Sequence, residues 1–320
     1  MAKRILFGRE QRMTFQDFLC GTPAEDYVFQ QVPYEQQIRQ AAERIREAEF
    51  ILIGAGAGLS TAAGLTMGGS RFRDNFREFI EKYGGPYMQD MYSAGFYPFP
   101  SEEAKWGYWS RSGMVNRVLC GALPLYKDVY KLVKEKPHFV LTTNVDHQFF
   151  LSGFDGENVF ATQGDYGRIQ CRKGCHPKTY DATKMFQQMD QARKDCLVPS
   201  YMVPKCPVCG GPMEMNLRCD SYFVEDDAWH KAEGRFNEAL TECRGKRTVL
   251  LELGAGFNTP TIIRFPFEKL VREHPDMSLI RLNKDEAVVP ESFGDRAVGI
   301  NEDMEKSIRD LLQGVKSSAK

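Results

Sequence analysis

The stretch Ile51-Leu-Ile-Gly-Ala-Gly-Ala-Gly-Leu-Ser-Thr-Ala-Ala-Gly-Leu65 decides the fold. Phe50 to Ile53 reads as a buried strand, the glycines at 54, 56 and 58 as a turn, and the Ala-rich segment after them as a helix. Glycine carries no Cβ, so a ligand can approach the backbone closely at such a turn. The N–H groups that open a helix have no intrahelical partner and favour an anion. A strand, a glycine turn and a helix in this order can hold a pyrophosphate; the alternative is an ordinary tight turn of an α/β protein. Leu59 and Ser60 stand where the simple dinucleotide pattern would carry its third glycine.

Working outward, Ile38, Ala41, Ala42, Ile45 and Ala48 recur at spacings of three and four and predict an amphipathic helix from Tyr34 to Glu49. Further helices are expected over 115–134, 228–242, 262–273 and 303–312, and further strands over 138–142, 158–161, 248–253 and 278–282. Alternating helices and short apolar strands imply an α/β fold built on a doubly wound parallel (Rossmann-like) sheet. Residues 67–112, rich in Gly and aromatics, and 167–215, with two cysteine pairs, break the alternation. They are expected to form a smaller zinc-binding and helical lobe. Residues 34–66, 113–166 and 216–320 then make the sheet domain, and 1–33 an extension packed on it.

The chain has 320 residues and a net charge of −1, with acids and bases interspersed. That balance gives no basic footprint for nucleic acid. The apolar run near the N-terminus is too short for a secretory signal, and no apolar window is long enough to span a membrane. A cytoplasmic location and no membrane partner are the expectation. Nine cysteines in a long chain without a signal fit metal binding better than a disulfide framework.

Cys171-Arg-Lys-Gly-Cys175 and Cys206-Pro-Val-Cys209 have the spacing of two ligand pairs for one tetrahedral Zn²⁺. Four sulfurs leave no open position, so the metal would be structural. Cys196 or Cys219 are substitute ligands, His176 reads as a surface residue, and a redox pair at Cys206 and Cys209 would leave Cys171 and Cys175 unexplained. Asn144 and Asp146 follow the strand 138–142, where ligands of open α/β sheets lie; the alternative is that they cap the next turn. Gly254-Ala255-Gly256 and Asn258 form a second glycine turn after a strand, and Asn283 follows another. Two such turns suit a ligand with two ends, such as a dinucleotide. His147 and His230 have no evident nucleophile to serve.

Taken together, these residues resemble the sirtuin family over roughly residues 36–313. The family's Gly-Ala-Gly-x-Ser-x-x-x-Gly signature is similar to Gly56-Ala57-Gly58-Leu59-Ser60 with Gly64. Its Asn-Ile-Asp element resembles Asn144-Val145-Asp146, and its zinc pairs fall on the four cysteines. Its Gly-Thr-Ser turn is similar to Gly254-Ala255-Gly256, and Asn283 matches an asparagine at the adenosine ribose. Three departures stand out. Phe72 and Arg73 align with the family's Phe-Arg only across an insertion. Gly256 replaces a serine. Gln163-Gly164 stands where deacylating members have a histidine and a glycine.

A primary amide cannot take up a proton usefully near neutral pH, so Gln163 cannot serve as general base on a ribose hydroxyl. It can still orient a ribose. The combination resembles the class M, macrodomain-linked sirtuins, and this resemblance implies NAD-dependent ADP-ribosylation of an acceptor protein, a lipoyl-carrier protein being the candidate, with a functional link to a macrodomain hydrolase. NAD would be the co-substrate and Zn²⁺ structural. Asn144, Asp146 and Gln163 would be catalytic, and the two glycine turns with Ser60, Gly64, Phe72, Arg73, Asn258 and Asn283 would bind the dinucleotide. Deacylation, NAD hydrolysis and non-catalytic NAD sensing are the alternatives.

Overall fold

The computed structural model describes residues 13–317; the first twelve residues of the expected N-terminal extension lie outside the described ones. Six parallel strands form the main sheet: β1 (Phe50–Ala55), β2 (His138–Thr142), β3 (Val159–Ala161), β4 (Thr248–Leu253), β5 (Met277–Leu282) and β6 (Ala297–Ile300). Their spatial order is β6-β5-β4-β1-β2-β3, the doubly wound dinucleotide-fold order read from its far edge. The strand direction of connection reverses between β1 and β4, so the switch point lies beside the first glycine turn.

Period-two alternation sends the side chains of each strand to opposite faces. Ile51, Ile53, Val249 and Leu251 pack under the helices Tyr34–Glu47, Pro124–Val133 and Met304–Ser317. Phe50, Leu52, Leu250 and Leu279 pack under Asp227–Glu242 and Arg264–Glu273. With both faces covered, the strands are buried along their length, which accounts for their near-continuous apolar composition.

The second face is completed by the N-terminal segment. Phe15 and Phe18, on a short helix opened by a Thr14–Asp17 capping box, insert among Phe160, Phe236 and Phe267. Tyr27–Val28 then pairs antiparallel with Val289–Pro290.

The expected helix over 115–134 is divided. A helix at Glu102–Gly113 runs into a π-helical turn, Met114–Val118, and a new helix starts at Pro124. Gly121, with φ 57°, and Pro124 at the first helical turn break the continuity. β6 was not expected: it is only four residues long and contains Gly299, whose Cα lies so close to Ala287 O that a Cβ would stand 2.1 Å away.

Residues 67–112 contain the helices Gly69–Tyr83, Met91–Gly95 and Glu102–Gly113, joined around Phe72, Phe76, Phe79 and Tyr108. Gly164–Cys171, Thr179–Asp181 and Met213–Leu217 make a three-stranded antiparallel sheet. It packs with Trp106, Phe186 and Met189 in a separate apolar cluster.

Candidate active site

A cavity of about 290 Å³ opens at the carboxyl ends of β1, β2 and β4, lined among others by Ala57, Ser60, Asn144, Asp146, Gln163 and Ile262. Thr142, the last residue of β2, closes the turn into the site: its hydroxyl donates to Ala55 O (3.0 Å) and accepts from Asn144 N (3.0 Å). The Asn144 side chain donates through Nδ2 to Gly56 O (3.0 Å) and to the Tyr126 hydroxyl (3.1 Å). Both its N–H bonds are thereby used inside the protein, and Oδ1 is the atom left for a ligand.

Tyr126 is the hub of this network and is fully buried. Its hydroxyl lies 2.8 Å from Ser60 Oγ and 3.4 Å from Asp146 Oδ2, while Ser60 donates to Asp146 Oδ2 at 2.5 Å. Gln148 N donates to the other carboxylate oxygen (3.0 Å). Burial pushes the Asp146 carboxyl above its ordinary range, against the opposing pull of these donors. Burial also drives the Tyr126 hydroxyl upward, so it stays a protonated donor. A tyrosine on the apolar side of an amphipathic helix reads as core, so the sequence carried no signal of this role.

Asp165 clamps the loop carrying Asn144 and Asp146 to the strand after Gln163. Its Oδ2 lies 2.5 Å from His147 Nδ1, and its Oδ1 accepts from Arg117 Nε (3.1 Å) and Gly167 N (2.6 Å). His147 is therefore paired, in a left-handed turn with φ 66°; His230 is exposed beside Glu233. Gln163 is half-buried, and its Nε2 donates to Thr162 Oγ1 (3.3 Å). The following residue has to be glycine: Gly164 has φ 99°, and a Cβ there would stand 1.9 Å from Asn216 O.

Gln163 also lines a second cavity of about 310 Å³ that shares Tyr92, Val145 and Tyr166 with the first. Its other walls include Met91, Phe96, Trp109, Met215 and Leu217, with Lys105, Arg172, Glu214 and Asp220 also at its surface.

The two glycine turns meet. Gly58 N donates to Gly254 O (3.0 Å) and Gly56 N to Leu253 O (3.0 Å). A Cβ on Gly58 would stand 2.8 Å from Gly254 Cα. These glycines thus lock two turns together, and Ala57 and Ser60 line the cavity in their place. Gly64, with φ 97°, lies just beyond the short helix Ala57–Ala62. Asn283 donates to Ala255 O (3.2 Å) and accepts from Asp285 N and Glu286 N, fastening the ends of β4 and β5. Gly256 sits beside the Glu286 carboxylate and Asn258 is exposed on the same rim.

Two expected residues are not brought to the cavity. Phe72 stacks on Phe76 in the helical cluster, and Arg73 is exposed. Both lie in the helical span Gly69–Tyr83, ahead of its kink at Phe76, where side chains two residues apart face different ways. Arg71 turns inward instead, donating to Thr66 O (2.9 Å) and Val115 O (3.0 Å).

The sulfurs of Cys171, Cys175, Cys206 and Cys209 lie within 4.8 Å of one another. Cys171 and Cys209 are 3.7 Å apart and Cys175 and Cys206 3.6 Å apart. Four sulfurs at about 2.3 Å from one tetrahedral zinc would be about 3.8 Å apart, so the cluster fits a structural Zn²⁺. Burial pushes the Cys171 thiol up, but the N–H groups of Cys175 and Lys173 outweigh it and bring it down to about 6, favouring the thiolate a metal needs. Cys196 and Cys219 are not part of the cluster. His176 Nδ1 lies 3.1 Å from Cys175 Sγ and 3.8 Å from Cys206 Sγ, so the ring stands against the sulfurs rather than free at the surface, and its Nε2 lies 2.7 Å from the Tyr180 hydroxyl.

No protein-family model matches the chain. A protein ADP-ribosyltransferase of Staphylococcus aureus is 34% identical over 270 residues, covering 84% of this chain and 85% of that protein. A probable bifunctional ADP-ribose hydrolase/ADP-ribosyltransferase of Fusarium oxysporum is 34% identical over 267 residues, 78% of this chain and 43% of that longer protein. Among solved structures, a Sir2 homologue mutant in complex with ADP-ribose has a TM-score of 0.54 at 14% identity, over 88% of this chain and 97% of that one. A Sir2 homologue bound to NAD has a TM-score of 0.52 at 15% identity, over 87% and 94%. The chain belongs to the family of the Staphylococcus protein ADP-ribosyltransferase, and its fold is the sirtuin (Sir2) fold.

Proposed function

We propose that this protein consumes NAD, transferring its ADP-ribose to an acceptor protein and releasing nicotinamide. The observation that carries this reading is the pairing of a built polar site, Asn144–Tyr126–Ser60–Asp146, with a glutamine at position 163. Asn144 Oδ1 accepts from a hydroxyl of the nicotinamide ribose, Gln163 orients the same ribose, and Asp146 receives the nicotinamide amide. The turns at Gly56–Ser60 and Gly254–Gly256, with Gly64, Asn258 and Asn283 on the rim, carry the rest of the dinucleotide. The C1′–N bond breaks with its electron pair going to nicotinamide, and an acceptor nucleophile bonds to C1′ and gives up its proton to water. Stabilising the positive charge at C1′ is positional and electrostatic work that needs no base at position 163. Deacylation does need one, to deprotonate a ribose hydroxyl.

The cavity beyond Gln163, walled by Met91, Phe96, Trp109, Met215 and Leu217, suits a long apolar arm reaching the site. A lipoyl-carrier protein offers such an arm, and we take it as the acceptor. The partner activity is a macrodomain-type hydrolase that removes the modification; the Fusarium relative is named for both activities. No helix among the described residues is long and apolar enough to cross a membrane, and we place the protein in the cytoplasm.

Incubation with labelled NAD and candidate carrier proteins tests the reading. Wild-type protein is expected to label the carrier. Asn144→Ala and Gln163→Ala are each expected to lower the rate by about a hundredfold or more, at unchanged unfolding temperature in Gln163→Ala and at a lowered one in Asn144→Ala, which loses two internal hydrogen bonds. Wild-type rates in either variant would reject the assignment of that residue.

A further inference from the structure

The π-helical turn Met114–Val118 lies against the cavity, and Asn116 is its contribution to the wall. Such i→i+5 turns recur at functional sites because they displace one side chain from the helical register. Asn116 is 1% exposed. Its Nδ2 lies 3.3 Å from Ser112 Oγ and 3.5 Å from Met91 Sδ. A thioether sulfur accepts but never donates, which fixes the nitrogen on that side of the amide. Oδ1 is left as a buried acceptor with no hydrogen-bond partner. Buried amide oxygens are rarely left so, and an orphan in a ligand cavity calls for a donor from the ligand.

The turn is braced to hold this atom still. Arg71 Nη2 and Cys120 Sγ both donate to Val115 O, at 3.0 and 2.8 Å. Phosphate oxygens cannot satisfy an acceptor, so the ligand group must carry N–H or O–H. Leu65, Met67 and Tyr92 line the same cavity and suit a flat ring, and Asp146 brings a second acceptor to it. Two acceptors match the two N–H bonds of one primary amide.

We propose that Asn116 binds the carboxamide of nicotinamide, with Oδ1 accepting one amide N–H while Asp146 accepts the other; this rests on the reading of NAD as substrate. The residue then selects the leaving group, and a pyridine without an amide N–H loses the contact.

The test compares pyridine release from NAD and from its 3-acetylpyridine analogue, which lacks the amide nitrogen. The ratio of the two kcat/KM values, taken between wild type and Asn116→Leu, cancels the intrinsic difference between the leaving groups. The preference for NAD is expected to shrink roughly tenfold in Asn116→Leu and to persist in Asn116→Asp, which keeps the acceptor. Asn116→Ser, shorter and still polar, serves the same comparison if the leucine variant does not fold. An unchanged ratio, with both substrates slowed alike, overturns the role of Asn116 and leaves NAD as substrate. Absence of nicotinamide release by the wild-type protein overturns both.

Discussion

At the scale of single residues, the site is a set of amides and hydroxyls fixed by one buried carboxylate and held in place by another. Asp165 is the holding one. Burial alone would raise its carboxyl, but His147 and Arg117 outweigh that effect and keep it below the ordinary aspartate value. A carboxyl lowered in the folded state stabilises the fold above its unfolded pKa, and that contribution disappears as pH falls through the folded value. Asp165→Asn is therefore expected to cost roughly 1–3 kcal/mol at pH 7, with the gap to wild type closing below about pH 4. Urea unfolding at stepped pH checks this; a gap that stays constant into acid would contradict it. That Asn144, Asp146 and Gln163 line one cavity was legible because each follows a strand end. Tyr126 and Asn116 were not, since one reads as core and the other depends on a π turn that leaves no mark in hydrophobic periodicity. Arg73 and Arg71 differ by two helical positions, which turns one side chain to solvent and the other inward to Thr66 O and Val115 O.

At the scale of elements, five of the six sheet strands announce themselves as apolar runs, because both faces of the sheet are covered. β6 escaped through brevity and its glycine, and the break at 119–123 escaped because the apolar spacing continues across it. The cysteine spacing predicted the ligand pairs but not the three-stranded sheet that presents them, whose longest strand, Gly164–Cys171, is only partly buried and has an irregular register against Met213–Leu217. That sheet packs against Trp106 and Phe186, so its integrity and the metal should go together. About one zinc per chain is expected by metal analysis. Cys206→Ser is expected to lose it, with protease sensitivity rising within 164–217 first. A full complement of metal in the variant would remove the four-cysteine assignment.

At the scale of the whole molecule, the second glycine turn is tied to the N-terminal segment through a buried charge cluster. Glu252 and Arg281 are side by side in the β4–β5 register, with Arg281 Nε 2.7 Å from Glu252 Oε1. Arg281 Nη2 reaches Glu268 Oε1 at 2.8 Å, and Tyr27 donates to Glu268 Oε2 at 2.6 Å. Arg264 lies 3.6 Å from Glu252 and donates to Ala255 O in the second glycine turn (3.1 Å). Two arginines balance two glutamates, all with fully buried side chains. Removing one partner strands a buried charge, so Arg281→Met is expected to lower stability by about 3–5 kcal/mol in denaturant unfolding. A loss under about 1 kcal/mol would show that the cluster is not what joins these parts.

In the proposed function the dinucleotide lies at the two glycine turns, and the fate of its ADP-ribose turns on position 163. The direct measurement is a mass balance after reaction with NAD and an acceptor protein, counting nicotinamide released against ADP-ribose found on protein, free, or joined to an acyl group. One protein-bound ADP-ribose for each nicotinamide is predicted. Accumulation of free ADP-ribose, or of acyl-ADP-ribose from an acyl-lysine peptide, would contradict the account.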